Sequence, residues 1–443
     1  LLGGREQHAI DINLLEQSYY HTIEHHDALK TGYQQDEKGV YAFLAAHKSA
    51  DFSVEKHSFT ETEKDDWIAK CADLPFELEQ GYVCRANVLI NDTNGKVTPY
   101  LIVTLHHIAG DFYSIEQMVA TWAKYYSQLI DGTPGLAPSI QYSQWVTEQK
   151  QYLASDAAGK ALAFWKSELA PLPAPLSIST DFERGDIQNF DGCELQFDGN
   201  QALTDKVTAL ARETKTTSYT VLLSAFQFYL HKLSGQSKFL IASPTMGRYT
   251  RTHKEIVGYC VNPFLIPADF TEPCNFTELI VERARFYRQS LRHQRMPLTE
   301  ISESLIDNRS AERTAVTSHM FTYTRANDRI IGMPISDHII DSGQRGAAHE
   351  LNLVVYEYEN SFRYHWRFNS SLYTAETVTA IADGFFELLD ELLLAPNKSL
   401  IQHQFKAWLP DAKPVTPRYE TGLAMWQDIT PTQPALLYNE QVL

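Results

Sequence analysis

The sequence predicts a mixed α/β protein of the α+β sandwich type, divided into two lobes. The chain has 443 residues, about twice the size that a single hydrophobic core comfortably serves. Segments with helical periodicity and segments with strand periodicity are interleaved in both halves. Between the halves, Pro171, Pro173 and Pro175 form a stiff spacer without helix or ladder potential. We therefore expect two lobes of roughly 200 residues each, with any site lying between them.

The composition is that of an ordinary globular protein and argues against several classes. Apolar residues make up 44% of the chain and charged residues 21%. The sequence contains no apolar run of about 18 residues and no basic–apolar–small leader, so we expect a cytoplasmic protein without a membrane partner. A formal net charge of -17 would repel a phosphate backbone, which argues against nucleic acid as a partner.

Cysteine usage argues against disulfide and metal frameworks. The cysteines are scattered, odd in number and without CxxC or Cys/His spacing: Cys71, Cys84, Cys193, Cys260 and Cys274. Such a pattern fits neither a disulfide scaffold nor a zinc site. We expect a reducing compartment and no bound metal.

The first predicted element is a helix at 11–31. Asp11 or Asn13 is available as its N-cap, and Gly32 is placed to end it. Its apolar positions recur at helical spacing: Ile12, Leu15, Tyr19 and Ile23.

A β-hairpin is predicted from Tyr82 onward. Its first strand alternates between Cys84, Ala86, Val88 and Ile90 on one face and Arg85 and Asn87 on the other. Asn94-Gly95 provides the turn, and the second strand, at 100–105, runs directly into His106 and His107. Ser114 with Gln117 then forms a capping-box pattern that predicts a helix. The apolar face of this helix is formed by Ile115, Met118, Trp122, Tyr126 and Leu129.

The remaining elements continue the mixed pattern. We predict helices at 157–169, 201–215, 218–233, 277–292 and 375–394, and strands at 238–243 and near 316–323 and 351–368. The predicted divisions are a first lobe at 1–170, a linker at 171–185, a second lobe at 186–405 and a linker with a further domain start at 406–443. This last segment has little periodicity and carries Pro410, Pro414, Pro417, Pro431 and Pro434.

Two histidines and an aspartate lie together where the second hairpin strand ends. The segment from Leu105 to Asp111 places the carboxylate four residues after His107. Because side chains alternate along a strand, His106 and His107 should point to opposite faces, so only one can enter a given cavity. A chain with 16 histidines contains on the order of one HxxxD pattern by chance, so this pattern alone is weak evidence.

Five short segments, in order along the chain, resemble motifs of the condensation domains of nonribosomal peptide synthetases. The family patterns are RHExLRT, HHxxxDG, a short Tyr/Trp element, VGxFVN and HQDxPF. The matching segments are residues 25–31, 105–111, 142–145, 257–262 and 293–298. Lys30 replaces the arginine of the first pattern. Phe112 stands where the HHxxxDG pattern usually has glycine, which argues against a role for a small residue there.

The resemblance continues to about residue 405 and then changes. Residues 423–443 resemble the opening of an adenylation domain, with the segment Thr432 to Leu436 in place. The family's first element, a serine/alanine/glutamine/arginine stretch, is absent, so we expect the chain to start inside the first lobe. Together these features predict a module within a larger synthetase.

The resemblance implies a fold, substrates and partners. The fold would be two chloramphenicol-acetyltransferase-like lobes in a V-shaped pseudo-dimer with a tunnel between them. The substrates would be an upstream acyl or peptidyl thioester and a downstream aminoacyl thioester. Each would be carried on the phosphopantetheine arm of a partner carrier domain, with no cofactor bound covalently to this domain. A following adenylation domain in the same chain would be a further partner.

His107 is the expected catalytic residue. Aminolysis of a thioester is downhill, so catalysis mainly needs alignment, removal of a proton from the attacking amine and tolerance of a developing oxyanion. His107 could supply either of the last two, and both roles stay open. We expect His106 to fix the loop by hydrogen bonding and Gly110 to support it.

Asp111 is expected to be structural. A buried carboxylate needs a cation to stay ionised. The family pattern places an arginine in a Gly-Arg pair after a second-lobe strand, and Gly247-Arg248 stands in that place. We therefore predict a bidentate Asp111–Arg248 pair that sets the angle at which His107 enters the tunnel.

Two further groups are candidates for contacts with substrates and partners. The tunnel-lining candidates are Phe112, Tyr142, Trp145 and Asn262. Packing is the alternative role for Tyr142 and Trp145. A basic helix face could dock an acidic carrier domain or its phosphopantetheine phosphate, with a solvated face as the alternative. It consists of Arg285, Arg288, Arg292 and Arg295.

Four alternative functions require different residues at the same positions or predict a different effect of losing His107. A heterocyclising relative would carry aspartate at position 106, where this chain has His106. An epimerising relative would carry a GxSW-like run and an EGHGRE element, whereas residues 112–115 and 244–248 read FYSI and PTMGR. A free acyltransferase would not run on into an adenylation-like segment. A non-catalytic carrier-docking domain predicts that loss of His107 changes no activity.

Overall fold

The structure, a computed structural model, describes most of the chain. The described residues are 2–3, 10–37, 39–45, 50–57, 59–93, 96–133, 135–185, 189–305, 318–325, 346–403, 437–438 and 441–442.

The first half contains a small sheet, and its last helix, at 156–169, packs in the core of the second half rather than on this sheet. In chain order its elements are β1 (Leu2–Gly3), α1 (Ile12–His25), β2 (Thr31–Asp36), β3 (Gly39–Leu44), β4 (Ala50–His57), α2 (Glu61–Asp73), β5 (Cys84–Thr93), β6 (Lys96–Leu105), α3 (Phe112–Asp131), α4 (Tyr142–Leu153) and α5 (Asp156–Leu169). Among the described residues the sheet has four strands in the order β1-β6-β5-β4, and β2 and β3 form a separate hairpin. The β5–β6 pair is the predicted antiparallel hairpin.

The second half contains a larger sheet. The elements of this half are β7 (Gly192–Asp198), α6 (Gln201–Glu213), α7 (Ser218–Ser234), β8 (Lys238–Thr245), β9 (Asn262–Asp269), α8 (Phe276–Ser290), α9 (Leu298–Leu305), β10 (His319–Arg325), β11 (Leu351–Glu357), β12 (Phe362–Asn369) and α10 (Ala375–Leu394). Two short strands follow, β13 (Leu437–Tyr438) and β14 (Gln441–Val442). In the part of the chain that the structure describes, this sheet has six strands in the order β7-β12-β11-β10-β8-β9. Strand β10 runs parallel to both of its neighbours, and the other pairs are antiparallel.

Each sheet has its own hydrophobic core. In the first half, the rings of Tyr19 on α1 and Trp122 on α3 pack with centroids 4.9 Å apart. The indole of Trp122 also donates a hydrogen bond to the Leu15 carbonyl at 3.0 Å. In the second half, α7 is buried along nearly its whole length, as expected for a helix that is apolar on most faces. Its Phe226 packs against Trp366 of β12. The described residues therefore form two large cores, as the length of the chain predicts.

Most predicted elements are confirmed. The predicted helices at 157–169, 201–215, 218–233 and 375–394 correspond to α5, α6, α7 and α10, and the predicted strand at 238–243 lies within β8. Two predicted elements differ in the structure. The segment 351–368 is two antiparallel strands, β11 and β12, rather than one run. The helix predicted at 277–292 ends at Ser290 and continues as a 3₁₀ turn.

The prediction that the first helix runs to Gly32 is wrong. Asp11 caps α1 as expected, accepting the amide hydrogens of Asn13 and Leu14. The helix ends at His25, because His26 is extended with φ -117° and ψ 118° and a 3₁₀ turn follows. Gly32 lies in β2, where a Cβ would stand 2.5 Å from the ring of Phe43. The glycine is required by the packing of β2 on β3 rather than by a helix end.

The predicted cap of α3 is also wrong. Helix α3 begins at Phe112 and its N-cap is Asp111, whose carboxylate accepts the Ser114 amide at 3.0 Å. In return, the Ser114 hydroxyl accepts the Asp111 amide at 3.2 Å. Ser114 is therefore the third helical residue and not the cap. A carboxylate suits the cap because it satisfies free amides at the positive end of the helix dipole.

Some predictions lie outside the described residues. These are the Asn94-Gly95 turn, the start of the strand near 316–323, and most of 406–443, including the adenylation-like segment from Thr432 to Leu436. Of the helices in the described ranges, none is long and apolar enough to cross a membrane. Within the same ranges, no three histidine, cysteine, aspartate or glutamate residues are grouped to hold a metal ion.

We expect the fold to lose stability as the pH falls from about 6.5 towards 4. Burial, with the neighbouring charge of His25, lowers the pKa of His26 from 6.5 to about 3. Burial lowers the pKa of His319 to about 4. Below pH 6.5 the unfolded chain binds protons at these histidines while the folded chain does not. Each histidine therefore removes roughly 1.4 kcal/mol of unfolding free energy per pH unit in this window.

Urea unfolding at pH 7, 6 and 5 measures this effect. The variant His26→Gln should flatten the pH dependence, because glutamine does not titrate and can still reach Thr121, which hydrogen-bonds the imidazole at 3.2 Å. His21→Gln is the matched control, since His21 is exposed on the same helix. This variant should leave the slope of unfolding free energy against pH unchanged. An unfolding free energy that stays constant between pH 7 and 5 would contradict the prediction.

Candidate active site

His106 turns the chain out of β6 and holds the loop that follows. Its backbone amide donates to the Val83 carbonyl at 2.8 Å. Its Nδ1 accepts the Ile108 amide at 3.1 Å, so the ring proton of neutral His106 is on Nε2. The ring packs edge-on against Phe76 with centroids 5.7 Å apart. Burial and the nearby His107 lower the pKa of His106. These contacts agree with the predicted role of His106 in holding the loop.

His107 is exposed and its proton is placed on one ring nitrogen. Its Nδ1 lies 2.9 Å from the Gly110 carbonyl oxygen. A carbonyl only accepts hydrogen bonds, so Nδ1 carries the proton, and Nε2 of the neutral ring holds a lone pair. The two histidines thus have different partners: Nδ1 of His106 accepts the Ile108 amide, and Nδ1 of His107 donates to the Gly110 carbonyl.

Gly110 supports this loop through the absence of a side chain. A Cβ at Gly110 would lie 2.6 Å from Cδ2 of Leu105 and 2.8 Å from Cβ of Ser114. Any larger residue would displace the carbonyl that holds His107. The close packing explains why the loop has a glycine immediately before Asp111.

The predicted pair between Asp111 and Arg248 is confirmed. Nη1 of Arg248 donates to Oδ2 of Asp111 at 2.8 Å, and Nη2 donates to Oδ1 at 3.0 Å. The side chain of Arg248 is 0% exposed and that of Asp111 is 7% exposed. Arg248 follows β8, so this bidentate pair joins the two halves of the molecule directly beneath the His107 loop.

The remaining polar atoms of the pair are also satisfied. The Asp111 carboxylate accepts the amides of Cys260 and Val261, each at 3.1 Å. Arg248 donates further to the carbonyls of Ile256 at 3.0 Å and Met246 at 3.2 Å. A carboxylate engaged by so many donors and buried from solvent is poorly placed to exchange protons with a substrate. The geometry supports a structural role for Asp111.

Ser114 is a buried member of this network that the sequence reasoning assigned only to a helix cap. Its hydroxyl oxygen accepts hydrogen bonds from Arg248 at 2.9 Å and from the Gly258 amide at 3.1 Å. Its single proton lies between the Asp111 carboxylate at 2.8 Å and the Gly258 carbonyl at 2.9 Å. The capping-box pattern in the sequence indicates a helix-capping role for Ser114. No local sequence pattern indicates its partners Arg248 and Gly258 in the other half.

Tyr259 contacts the imidazole of His107. The two rings are 5.1 Å apart at 75°, in an edge-on arrangement. Tyr259 belongs to the VGxFVN-like segment, and the sequence reasoning did not single it out. This contact and the Nδ1 hydrogen bond to Gly110 together limit rotation of the His107 ring about its Cβ–Cγ bond.

The cysteine nearest the site is not a nucleophile. Burial raises the pKa of Cys260 to about 12, and burial also raises the pKa of Cys84 to about 12. Both are therefore thiols near neutral pH, and a thiol is a far weaker nucleophile than a thiolate.

Helix α4 joins the two halves through two aromatic side chains. The hydroxyl of Tyr142 donates to the Tyr259 carbonyl at 3.0 Å, and the indole of Trp145 donates to the Gly247 carbonyl at 3.0 Å. The two rings stack, with centroids 5.6 Å apart. These contacts match the packing alternative for Tyr142 and Trp145. Their role as tunnel-lining residues stays a prediction.

Gly258→Ala is expected to destabilise this junction. A Cβ at Gly258 would lie 2.2 Å from Cδ2 of Tyr142, well inside van der Waals contact. Overpacking of this kind costs about 1–3 kcal/mol or more. Gly159→Ala is the matched control, since no atom lies within 4 Å of a Cβ there and alanine stabilises a helix interior by up to about 1 kcal/mol. Denaturant unfolding should separate the two variants, and equal midpoints would contradict the steric account.

The motif-like segment at 25–31 caps helix α4, which contains the motif-like segment at 142–145. The Asp27 carboxylate accepts the amides of Tyr142 and Ser143, each at 3.0 Å. The Gln141 side chain accepts the Asp27 amide at 2.8 Å and donates to the His25 carbonyl at 3.0 Å. Asp27 therefore fixes the start of α4, a role that the sequence reasoning did not assign.

Asn262 links the fourth motif-like segment to the fifth. Its amide nitrogen donates to the carbonyls of Gln294 and Met296, each at 2.8 Å. Its amide oxygen accepts the Leu298 amide at 3.2 Å. These bonds fix the turn that leads into α9. The expectation that Asn262 lines the tunnel stays a prediction.

The predicted basic face is wrong in one of its four members. Arg285, Arg288 and Arg292 are exposed. Arg295 is half-buried beyond the end of α8, with its guanidinium 4.4 Å from the ring centroid of Tyr152. It lines an open groove of about 430 Å³ together with Glu148, Gln151, Tyr152, Ser155 and Ala157. The spacing failed because the helix ends at Ser290, so Arg295 leaves the common face.

The fold and the site together define a class of protein: two mixed α/β lobes joined beneath a histidine loop by a buried aspartate–arginine pair. The family model described as "Condensation domain" matches residues 5–406. The chain belongs to the condensation-domain family of nonribosomal peptide synthetases.

A curated relative shows the same affiliation. Phosphinothricin tripeptide synthetase PhsB of Streptomyces viridochromogenes is 28% identical over 401 residues. The match covers 88% of this chain and 33% of that protein. The chain thus spans about a third of the length of this curated relative.

Solved structures confirm the predicted mixed α/β fold class of the chloramphenicol-acetyltransferase-like type. The X-domain from teicoplanin biosynthesis has a TM-score of 0.80 at 17% identity, covering 91% of both chains. The first condensation domain of the calcium-dependent antibiotic synthetase, in complex with a substrate analogue, has a TM-score of 0.76 at 16% identity. That match covers 92% of this chain and 93% of the other.

Proposed function

We propose that this domain forms an amide bond between two carrier-bound substrates. The donor is an acyl or peptidyl thioester on an upstream carrier domain, and the acceptor is the amine of an aminoacyl thioester on a downstream carrier domain. The observation that carries this proposal is the exposed His107, whose Nδ1–H bond to Gly110 leaves the Nε2 lone pair for a substrate.

The bond changes are those of thioester aminolysis. The amine nitrogen bonds to the thioester carbonyl carbon, the carbon–sulfur bond breaks, and the phosphopantetheine sulfur leaves with the electron pair. Nε2 of His107 accepts the proton that the amine loses and returns it to the departing sulfur. Alignment of the two thioester arms supplies much of the rate enhancement, because it makes the attack effectively unimolecular.

The relative basicities favour a mixed role for His107. A free α-amine has a reference pKa near 8 and a free imidazole one near 6.5. Imidazole is therefore a modest base towards an α-amine, and a hydrogen bond that orients the amine contributes together with proton transfer. The contact with Tyr259 supports this role because it steadies the imidazole.

The proposed partners follow from the same reaction. Both substrates arrive on phosphopantetheine arms of carrier domains, and a following adenylation domain would load the acceptor carrier. The exposed residues Arg285, Arg288 and Arg292 offer a basic patch for an acidic carrier on a domain whose net charge is -17. A cytoplasmic location is part of this proposal.

An assay with both loaded carriers and mass detection of the product tests the proposal. A condensed product that depends on both carriers supports amide formation. An inverted donor stereocentre without condensation would replace the proposal with epimerisation. Equal rates with free acyl-coenzyme A donors would favour a free acyltransferase. Carrier binding without any chemical change would favour a docking domain.

A further inference from the structure

Phe112 places a large aromatic side chain beside the His107 loop. It is the first residue of α3, directly after the locked Asp111. The residue is 48% exposed, so part of its side chain remains open to solvent or substrate. The bond from His107 to Gly110 closes the loop only two residues before Phe112. The Phe112 backbone therefore has a set position relative to the catalytic imidazole.

The other side of Phe112 meets the second sheet. Its ring centroid lies 6.2 Å from that of Tyr356 on β11, at an angle of 59°. This is an aromatic contact between the two halves, within the range in which tilted rings attract each other. An aromatic residue from each half therefore meets next to the loop that presents His107.

Tyr356 rests on a buried ionic cluster and cannot easily swing away. Arg367 donates to the Tyr356 hydroxyl at 3.1 Å, and the His365 ring packs 4.7 Å from the Tyr356 ring. Both Arg367 and His365 also bond to Glu194 of β7.

The cluster is largely buried. The side chain of Glu194 is 2% exposed and that of His365 is 1% exposed. Burial alone would raise the pKa of Glu194, but the bonds from His365 and Arg367 lower it to about 2. Glu194 is therefore ionised near neutral pH, so the cluster holds its charge. Tyr356 gives Phe112 a rigid backing.

We propose that Phe112 and Tyr356 form an aromatic constriction that limits the side-chain size of the aminoacyl group reaching His107. Small side chains such as that of alanine pass, and bulky aromatic side chains are disfavoured. The inference rests on the proposed amide-forming function, and it assigns Phe112 as a specificity-determining residue. The restricted group is an aminoacyl side chain on either the donor or the acceptor carrier, because the constriction adjoins the loop that serves both.

A competition assay tests this inference, in which the full chain receives carriers loaded with alanyl and with phenylalanyl groups. One arm varies the acceptor with a fixed donor, and the other varies the donor with a fixed acceptor. In Phe112→Ala the phenylalanyl-to-alanyl rate ratio should rise about tenfold or more in one arm, since removing a steric block changes discrimination by at least this factor. The arm that responds identifies the restricted substrate.

Three further variants keep the test sharp. Phe112→Leu should give a phenylalanyl-to-alanyl ratio between those of the wild type and Phe112→Ala. It replaces Phe112→Ala in the test if the alanine variant unfolds. Tyr356→Phe keeps the ring but loses the bond from Arg367, so its ratio should lie between those of the wild type and Phe112→Ala. Phe190→Ala removes an exposed phenylalanine in the loop before β7 and should keep the wild-type ratio.

The outcomes separate the inference from the function on which it rests. A wild-type chain that condenses no carrier pair contradicts the proposed function. A wild-type chain that condenses alanyl pairs, but whose ratio is unchanged in both Phe112→Ala and Phe112→Leu, overturns the constriction and leaves amide formation standing.

Discussion

Replacing His107 with alanine is expected to reduce amide formation by about 10²–10⁴-fold while carrier binding and folding stay intact. The expected loss is large because the variant removes the only imidazole that the loop presents outward, whereas His106 bonds within the loop. The fold should tolerate the change because the side chain is exposed and its one hydrogen bond is to a carbonyl in the same loop.

His21→Ala is the matched control for this experiment. His21 is an exposed histidine of α1 that stacks on Tyr125. Its removal should leave the rate within about twofold of wild type, because surface changes away from the site are close to neutral. Single-turnover rates with pre-loaded carriers, together with carrier affinity and circular dichroism, distinguish catalysis from folding. Condensation at an unchanged rate in folded His107→Ala would remove the central residue of the proposed mechanism.

Replacing Asp111 with alanine is expected to damage stability as well as rate. The variant leaves the fully buried guanidinium of Arg248 without its counter-charge, at a cost of roughly 3–5 kcal/mol of unfolding free energy. It also removes the acceptor of the Cys260 and Val261 amides, so the segment behind Tyr259 loosens. A residue that acted only as a catalytic acid would be lost with stability nearly unchanged.

A double-mutant cycle isolates the ionic contribution. Arg248→Met combined with Asp111→Ala should be more stable than Asp111→Ala alone, because the stranded charge is gone. The matched control is Asp198→Ala, whose carboxylate is 82% exposed and pairs with Arg363. An exposed pair of this kind contributes about 0–1 kcal/mol. If Asp111→Ala and Asp198→Ala unfold at the same denaturant concentration, the structural reading of Asp111 is incorrect.

The parts of the site that the sequence predicted correctly follow from local strand geometry or from a simple electrostatic requirement. Strand alternation separates His106 from His107 for a local geometric reason, and the two histidines do have different partners. The Asp111–Arg248 pair spans 137 residues, yet it followed from a simple electrostatic requirement and the resemblance to a known motif. A buried carboxylate needs a cation, and the motif order indicated which arginine supplies it.

The missed features depend on how the two halves meet. Ser114 matched a local capping pattern, but its bonds to Arg248 and Gly258 come from the other half. Asp27 caps a helix that starts more than a hundred residues later in the chain. Packing is one of the two expected roles of Tyr142, but no local pattern indicates the carbonyl that its hydroxyl bonds across the junction. Periodicity reports which face of an element is apolar, but it carries no information on which distant backbone atoms lie opposite a polar group.

The long separation between Asp111 and Arg248 also matters during synthesis of the chain. A ribosome adds about 5–20 residues per second, so the 137 residues between them take roughly 7–27 s to emerge. During that interval the carboxylate is hydrated and the histidine loop lacks both its cation and the amides of Cys260 and Val261. The geometry of the histidine loop is therefore completed only when the β8–β9 region arrives.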